Sequence, residues 1–394
     1  MASLASETTR TGVSVEMVHG TEDLMGMREE WSDLLTESAT DCVFLTWEWL
    51  TTWWRHLAGE RKLCVLTVRQ RGLLLAIAPL VVRPAGISSV LPFPALEFMG
   101  TGSIGSDYLD VIIRRGQEAR ALKALAECLA ATNRAVELEQ VRIGGGCAAQ
   151  LGKLLGDRGW SLGEEQTNIS RHIDLSGRSW PAYLESLGRA HRYNFNRRLK
   201  QLGREFTIRF DKVSTEDQRR AALGRLIALH KARWSGYSRA FHTQNHLDFH
   251  EEITRLACAR GWLRIHTLWL DEEPVAALYG FRYGGVFYFY QSGFDPNYGK
   301  YSTGLVTMGL TIRSAIEEGA GEYDMLQGVE GYKGHWAHGT RSLGRLEFYP
   351  PHVRGLVYRR AIELSRAARR AARRLLPRTI TDRIAAKREF PSRD

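Results

Sequence analysis

Apolar positions along the chain follow two rhythms, a period of two and a period near 3.6, and they alternate. GVSVEMVHG at 12–20 reads as a strand, and TEDLMGMREEWSDLLTES at 21–38 and FLTWEWLTTWWRHLAG at 44–59 read as helices, the latter heavily aromatic. RKLCVLTVRQRGLLLAIAPLVVRP predicts two strands about the charged turn RQRG, and ALEFMGTGSIGSDYLDVIIRR a loop and a further strand. Then come a helix over 116–133, the strand AVELEQVRIGG, a helix through Leu155 and the strand NISRHIDL. Beyond Ser176 the pattern restarts: helix WPAYLESLGRAHRYNFNRRLKQLGR, strand FTIRFDKV, and helices over 216–234 and 246–260. Strands WLRIHTLWL, EPVAALYGFRYG and GVFYFYQSGF follow, then a loop, a helix, the strand EYDMLQG and the closing strand GRLEFYPP.

The two halves echo each other. CVLTVRQRGLLLAIAPLVV and RIHTLWLDEEPVAALYGFR are each strand, charged turn and alanine-containing strand, about two hundred residues apart. Such self-similarity predicts duplication of one mixed α/β unit. The expected division is 1–175, 176–352 and a tail at 353–394.

Charge changes the picture only at that tail. Of the net +10, residues 353–394 hold +9, thirteen Lys/Arg against four Asp/Glu, so the body is nearly neutral. Val353, Val357, Ala361, Leu364, Ala368, Ala372 and Leu375 recur at helical spacing, with arginines on the other faces and Pro377 as the stop. Three readings stand open: a helix packed on the body, a basic amphipathic helix over 353–376 on an anionic membrane, or a nucleic-acid contact. The last lacks the interleaved aromatics of single-strand binders, so no nucleic acid is expected.

The remaining composition places the chain among soluble proteins. No apolar run approaches membrane-spanning length, and the N-terminus lacks a signal-peptide pattern. Five scattered cysteines without C-x-x-C spacing fit a reducing cytoplasm better than a disulfide framework or a zinc ribbon. His242, His246 and His250 are spaced i, i+4, i+8, yet they lie partly in a loop and lack the H-E-x-x-H form, so no metal is expected.

FYQSGFDPNYGKYSTGLVTMGL places small residues between a strand and a helix, where unpaired N–H groups attract phosphate. It is not a Walker A loop. The spacing from Gly293 to Gly299 is one residue too long, and Tyr301 follows Lys300 where Ser or Thr is required. The arginine-rich GRAHRYNFNRRLKQLGR is either a solvated helix or a neutraliser of phosphate.

LHKARW at 229–234, FYQSGFDPNYGKYSTG at 289–304 and YDMLQGVEGYKGHWA at 323–337 resemble the CelD-like type of GNAT-superfamily acyltransferase, itself distantly similar to FemABX. TWEWLTTWWRHL and GSDYLDVII resemble the N-terminal half of the same family. The resemblance covers nearly all the chain except the tail. It implies an α/β fold of two tandem GNAT-like halves sharing a cleft, and transfer of an acetyl or longer acyl group from acyl-coenzyme A to an amine. An amino sugar of an exopolysaccharide or a lipid amine is the expected acceptor. The diphosphate cradle would be Gly299, Lys300, Tyr301, Ser302, Thr303 and Gly304. This loop has fewer glycines than the common superfamily pattern.

The same likeness names His230 as base, Glu330 as a second base candidate, and Tyr290 and Tyr332 as acids. Asp107, Tyr108, Arg233, Asp295 and Lys333 would contact substrate. Each also has an ordinary structural reading, as core histidine, surface carboxylate, aromatic strand residue or ion pair. Two rivals remain: a FemABX-like transferase using aminoacyl-tRNA, and a non-catalytic adaptor of a polysaccharide-synthesis complex.

Overall fold

A computed structural model describes residues 12–84, 94–213, 215–234, 240–328 and 331–375. The first half runs β1 (Val13–Val18), α1 (Thr21–Gly26), α2 (Arg28–Thr36), α3 (Trp47–Leu57), β2 (Lys62–Leu63), β3 (Val65–Gln70), β4 (Leu73–Ala78) and β5 (Leu80–Arg83). It continues through β6 (Ala95–Phe98), β7 (Ile112–Ile113), α4 (Glu118–Thr132), β8 (Ala135–Arg142), α5 (Cys147–Gly156) and β9 (Ser161–Asp174). The second half has α6 (Trp180–Ser186), α7 (Arg189–Glu205), β10 (Ile208–Lys212), α8 (Glu216–Trp234), α9 (Gln244–Ala259), β11 (Leu263–Leu270), β12 (Glu273–Tyr283) and β13 (Val286–Phe294). A 3-10 turn at Pro296–Tyr301 leads to α10 (Thr303–Glu317), β14 (Glu322–Gln327), α11 (Gly331–Gly334), β15 (Gly339–Tyr349) and α12 (Val353–Leu375).

The halves are copies at the level of register. In the β3–β4 hairpin the pairing steps from Val68↔Ala76 to Arg69↔Leu74; in β11–β12 it steps from Leu268↔Ala276 to Trp269↔Pro274. Both turns hold a non-glycine residue in the left-handed region, Arg71 (φ 50°) and Asp271 (φ 55°). A bulge at the same place in two hairpins is an inherited feature, because each bulge re-aims every side chain beyond it. α4 and α10 have the same length, 15 residues, and the strands after them each carry one left-handed residue, Gln140 (φ 61°) and Leu326 (φ 55°). The mixed α/β fold is therefore a tandem of two like halves, with α12 appended.

Sheet order shows how the halves interlock. One sheet runs β10-β11-β12-β13-β14-β9-β15-β8-β6-β5-β2, and a second runs β1-β3-β4-β7. β9 pairs with β14 of the other half, and β15 pairs with β8 of the first, so each half lends its last strand to the other. Hydrogen bonding thus runs unbroken across the division at 175/176.

The apolar core crosses the same line. Thr46 caps α3 by accepting from Trp49 N–H at 3.2 Å, and the helix buries Trp47, Trp49 and Trp53. Trp49 packs edge-on against Phe249 of α9 at 5.1 Å and Tyr290 of β13 at 5.4 Å, and its indole N–H donates to Ser106 Oγ at 2.9 Å. Glu48, buried beside it, is held by Arg28 and Arg260, one from each half.

Two predicted elements need correction. The single helix expected over 180–204 is two, because Leu187 takes an extended conformation (φ −76°, ψ 151°) before Gly188. The tail does form a helix to Leu375, but Val353 and Leu364 on its predicted apolar stripe are 75% and 70% exposed. Tyr358 and Gly355 are buried instead. No helix among the described residues is long and apolar enough to cross a membrane.

Candidate active site

β13 and β14 are parallel and pair only at their first residues, Val286↔Glu322 through Tyr288↔Asp324. Beyond that point they diverge. The divergence follows a bulge in β13: Tyr279 faces Gln291 and Gly280 faces Phe289, so Tyr290 is the extra residue. Asp324 reinforces the split by accepting from Leu326 N–H at 2.8 Å, which turns the β14 backbone inward.

Two cavities open at this fork. One, about 140 Å³, lies between the diverging ends and is walled by Tyr290, Ser292, Leu326, Gln327, Tyr332 and Lys333, among others. The other, about 180 Å³ and mostly apolar, lies against β12, β13 and the start of α10, with Ala277, Gly293, Gly304 and Thr307 in its wall. Arg233, Ser292 and Tyr332 line both, so the two form one groove.

The start of α10 differs from the side-chain-capped starts of α3, α6 and α9. α3, α6 and α9 are capped by Thr46, Ser179 and Thr243, whose side chains accept a backbone N–H. α10 has Ser302 at the cap in the left-handed region (φ 57°) and no side-chain cap bond. The N–H groups of Thr303 and Gly304 find no protein acceptor among the described residues. They form an electropositive helix end beside the apolar cavity. The hydroxyls of Thr303 and Thr307 are buried without hydrogen-bond partners among the described residues, and Thr307 faces that cavity. An elongated ligand with an anionic head and an apolar arm fits this donor set.

The rest of the expected cradle is engaged otherwise. Ser302 N–H donates to Gly299 C=O at 3.0 Å, while its own carbonyl accepts from Leu305 and Val306. Tyr301 is buried and packs edge-on against Phe206, so it belongs to the core. Lys300 places its ammonium over the Tyr301 ring, and its carbonyl accepts from Arg198 at 2.9 Å. Gly299 is exposed, with open space where a side chain would point. Of the six residues expected in the cradle, Thr303 and Gly304 are the two whose N–H groups have no protein acceptor among the described residues.

Among the acid and base candidates, Tyr332 is in the groove wall. Tyr290 also lines it, but its phenol donates to the Ile104 carbonyl of the first half, and burial raises its pKa well above the ordinary value. That proton is committed, so Tyr290 is corrected from acid to an inter-half tie. His230 is buried; its Nδ1–H donates to Ser292 C=O at 2.9 Å, and burial lowers its pKa. The imidazole is neutral with Nε2 as the basic nitrogen, though it forms no wall of either cavity. Glu330 lies outside the described residues.

Of the expected substrate contacts, Arg233 and Lys333 reach the groove. Arg233 donates to Ser292 Oγ at 2.9 Å, and its guanidinium lies 5.0 Å from the Phe294 ring and 5.9 Å from Tyr332. Lys333 is buried and donates to Gln327 C=O at 2.7 Å. Asp107, fully buried, accepts from Gln327 N–H at 2.7 Å through Oδ2, while Oδ1 has no partner among the described residues. Burial pushes its carboxyl up to about 8, against the opposing pull of the Gln327 N–H and Lys333. Tyr108 is in the left-handed region (φ 61°), with its hydroxyl 2.7 Å from Asp324 Oδ2 and 2.6 Å from Ser170 Oγ. Asp295 is a cap for the 3-10 turn, accepting from Asn297 N–H at 2.9 Å, and is corrected from substrate contact to structural residue.

Residues missed in the sequence are those brought by distant segments. Ser292, Gln327 and Thr307 line the groove; the first two lie inside stretches that carry the family resemblance and Thr307 just beyond one, but that resemblance assigns them no role. Of the three spaced histidines, His246 bonds Ser103 Oγ and Thr243 Oγ1, and His250 bonds Ala240 C=O.

Residues 189–334 match the family model described as acetyltransferase (GNAT) domain. The chain is similar in structure to FemX, with 14% identity, 87% of this chain and 99% of that one covered, and a TM-score of 0.59. It is similar to the C-terminal domain of a lysylphosphatidylglycerol synthetase from Agrobacterium fabrum (10% identity, 88% and 96% covered, TM-score 0.52). It also resembles L-PGS from Bacillus licheniformis (13% identity, 86% and 95% covered, TM-score 0.51). At these identities the likeness is one of fold. No curated protein sequence matches the chain. The chain thus carries an acyltransferase domain of the GNAT kind, at 189–334, within a duplicated fold shared with FemX.

Proposed function

We propose that the chain transfers an acyl group from acyl-coenzyme A to an amine, in the groove where β13 leaves β14. One observation carries this reading: α10 begins with two N–H groups that have no protein acceptor among the described residues, beside an apolar cavity. A thioester donor bound there supplies an acyl carbonyl activated toward attack by nitrogen. Thr303 and Gly304 would hold its diphosphate, Thr307 a polar atom of its arm, and Arg233 a further anionic group.

The amine nitrogen attacks the thioester carbon, the C–S bond breaks, and the thiolate leaves with a proton. Tyr332 is the donor of that proton. His230, held neutral, takes the amine's proton through water. A backbone N–H of the bulged stretch of β13 stabilises the oxyanion. The acceptor is an amino sugar or a lipid amine, in keeping with the CelD-like resemblance, and the setting is cytoplasmic.

A second reading, a FemABX-like transferase using aminoacyl-tRNA, is favoured by one feature. Arg189, Arg192 and Asn196 of α7 flank Tyr193, which is 67% exposed, around a wide surface hollow. Calorimetry with acetyl- and palmitoyl-coenzyme A decides: saturable binding supports the first reading, and no binding of either removes it.

A further inference from the structure

α12 is held on the body by polar anchors rather than by its apolar stripe. The Tyr358 hydroxyl bonds Glu137 and accepts from Arg83 Nη2 at 2.9 Å; Arg366 pairs with Glu347, donating from Nη1 at 2.8 Å. Gly355 is buried against Pro350, so close that a Cβ there would meet the Pro350 carbonyl at 2.2 Å. These residues and Ile362 lie on one face of the helix. Their partners fix its rotation.

That rotation turns the apolar stripe outward. Val353, Val357 and Leu364 are 75%, 47% and 70% exposed, and Leu356 beside them is 50% exposed. A helix whose apolar face is presented to water by a fixed anchor is unusual, because burial of that face normally decides its orientation. Arg354 and Arg360 flank the stripe on its two sides, and over 353–375 eight arginines stand against one glutamate. Where α12 begins, a cavity of about 280 Å³ is walled by Asn133, Arg134, His352, Arg354 and Tyr358.

We propose that this outer face of α12 docks on an anionic phospholipid bilayer, independently of the acyl-transfer reading. The stripe enters the boundary between headgroups and acyl chains, and the arginines on either side meet lipid phosphates. A second copy of the chain is the poorer occupant. Two such helices face to face would oppose sixteen arginines with only two glutamates, doubling the content of 353–375.

The test uses the full chain and flotation with phosphatidylcholine vesicles, with or without phosphatidylglycerol. The chain is expected to float only with phosphatidylglycerol present, and to be released by added salt. Val357→Glu with Leu364→Glu should lower the bound fraction about tenfold without changing thermal stability, since both side chains face solvent. Arg354→Glu with Arg360→Glu should abolish the preference for the anionic vesicle while leaving the stripe intact. Failure of the unaltered chain to float, or equal flotation of the Val357/Leu364 variant, overturns the proposal. So does a dimer in light scattering that this variant turns into a monomer with no vesicle binding.

Discussion

Asp107 accepts the backbone N–H of Gln327 at 2.7 Å, while Lys333 donates to the carbonyl of the same residue at 2.7 Å. The end of β14 is thereby clamped at both the N–H and the C=O of Gln327, by the first half and by α11. Gln327 is the rim of the groove, so the opening between β13 and β14 is set by a contact between halves.

The clamp predicts a pH dependence. Burial raises the Asp107 carboxyl to about 8, so the folded state holds a proton that the unfolded chain gives up near pH 4. Its contribution to stability is complete below the unfolded value and is lost as pH rises through about 8. Asp107→Asn should flatten that part of the profile, with a limiting slope difference of about 1.4 kcal/mol per pH unit. Urea unfolding of both proteins from about pH 5 to about pH 8 measures it, and parallel profiles refute it.

Gly304→Asp places a carboxylate at the open start of α10. Its backbone is not in the left-handed glycine region, and a Cβ would meet only the Phe294 ring, at 3.3 Å. The fold should therefore survive. Affinity for acyl-coenzyme A should fall by about tenfold or more through charge repulsion at the phosphate site. Calorimetry reads the constant, and unchanged affinity would remove Gly304 from the site.

Gly293 is required for packing. A Cβ there would meet the His230 backbone nitrogen at 2.2 Å, so Gly293→Ala must push β13 off α8. A loss of about 3 kcal/mol in unfolding free energy is expected. Gly299→Ala, with open space around it, should change stability by less than about 1 kcal/mol. Equal stability of the two variants would contradict the packing.

The two groove tyrosines should separate by readout. Tyr332→Phe should lower kcat about a hundredfold, with little change in melting temperature. Tyr290→Phe should instead cost about 1–3 kcal/mol of stability, because the Ile104 carbonyl loses its donor. A catalytic loss at Tyr290 with none at Tyr332 would reverse the assignment.

Local pattern carried much of the fold. The hairpin echo at 64–82 and 264–282 was readable because a bulged hairpin keeps its turn charge and its alanines in place after duplication. The stripe of α12 was equally readable as a periodicity. Its orientation was not, since Glu137, Glu347 and Arg83 come from remote strands. Tyr290 reads as a strand aromatic with a free phenol until Ile104, 186 residues away, is folded against it. At the groove the sequence marked the loop but not which N–H groups stay open; that depends on the backbone angles of Ser302.

The reciprocal lending of β9 and β15 bears on how the molecule is made. As the chain leaves the ribosome, β8 and β9 appear long before residues 339–349, and β9 has neither of its neighbours. Until the last strand emerges, both present unpaired amide edges to solvent, the kind of surface that recruits foreign strands. The seam at the middle of the finished sheet is thus the last place to close, and the first half spends its synthesis waiting for the second.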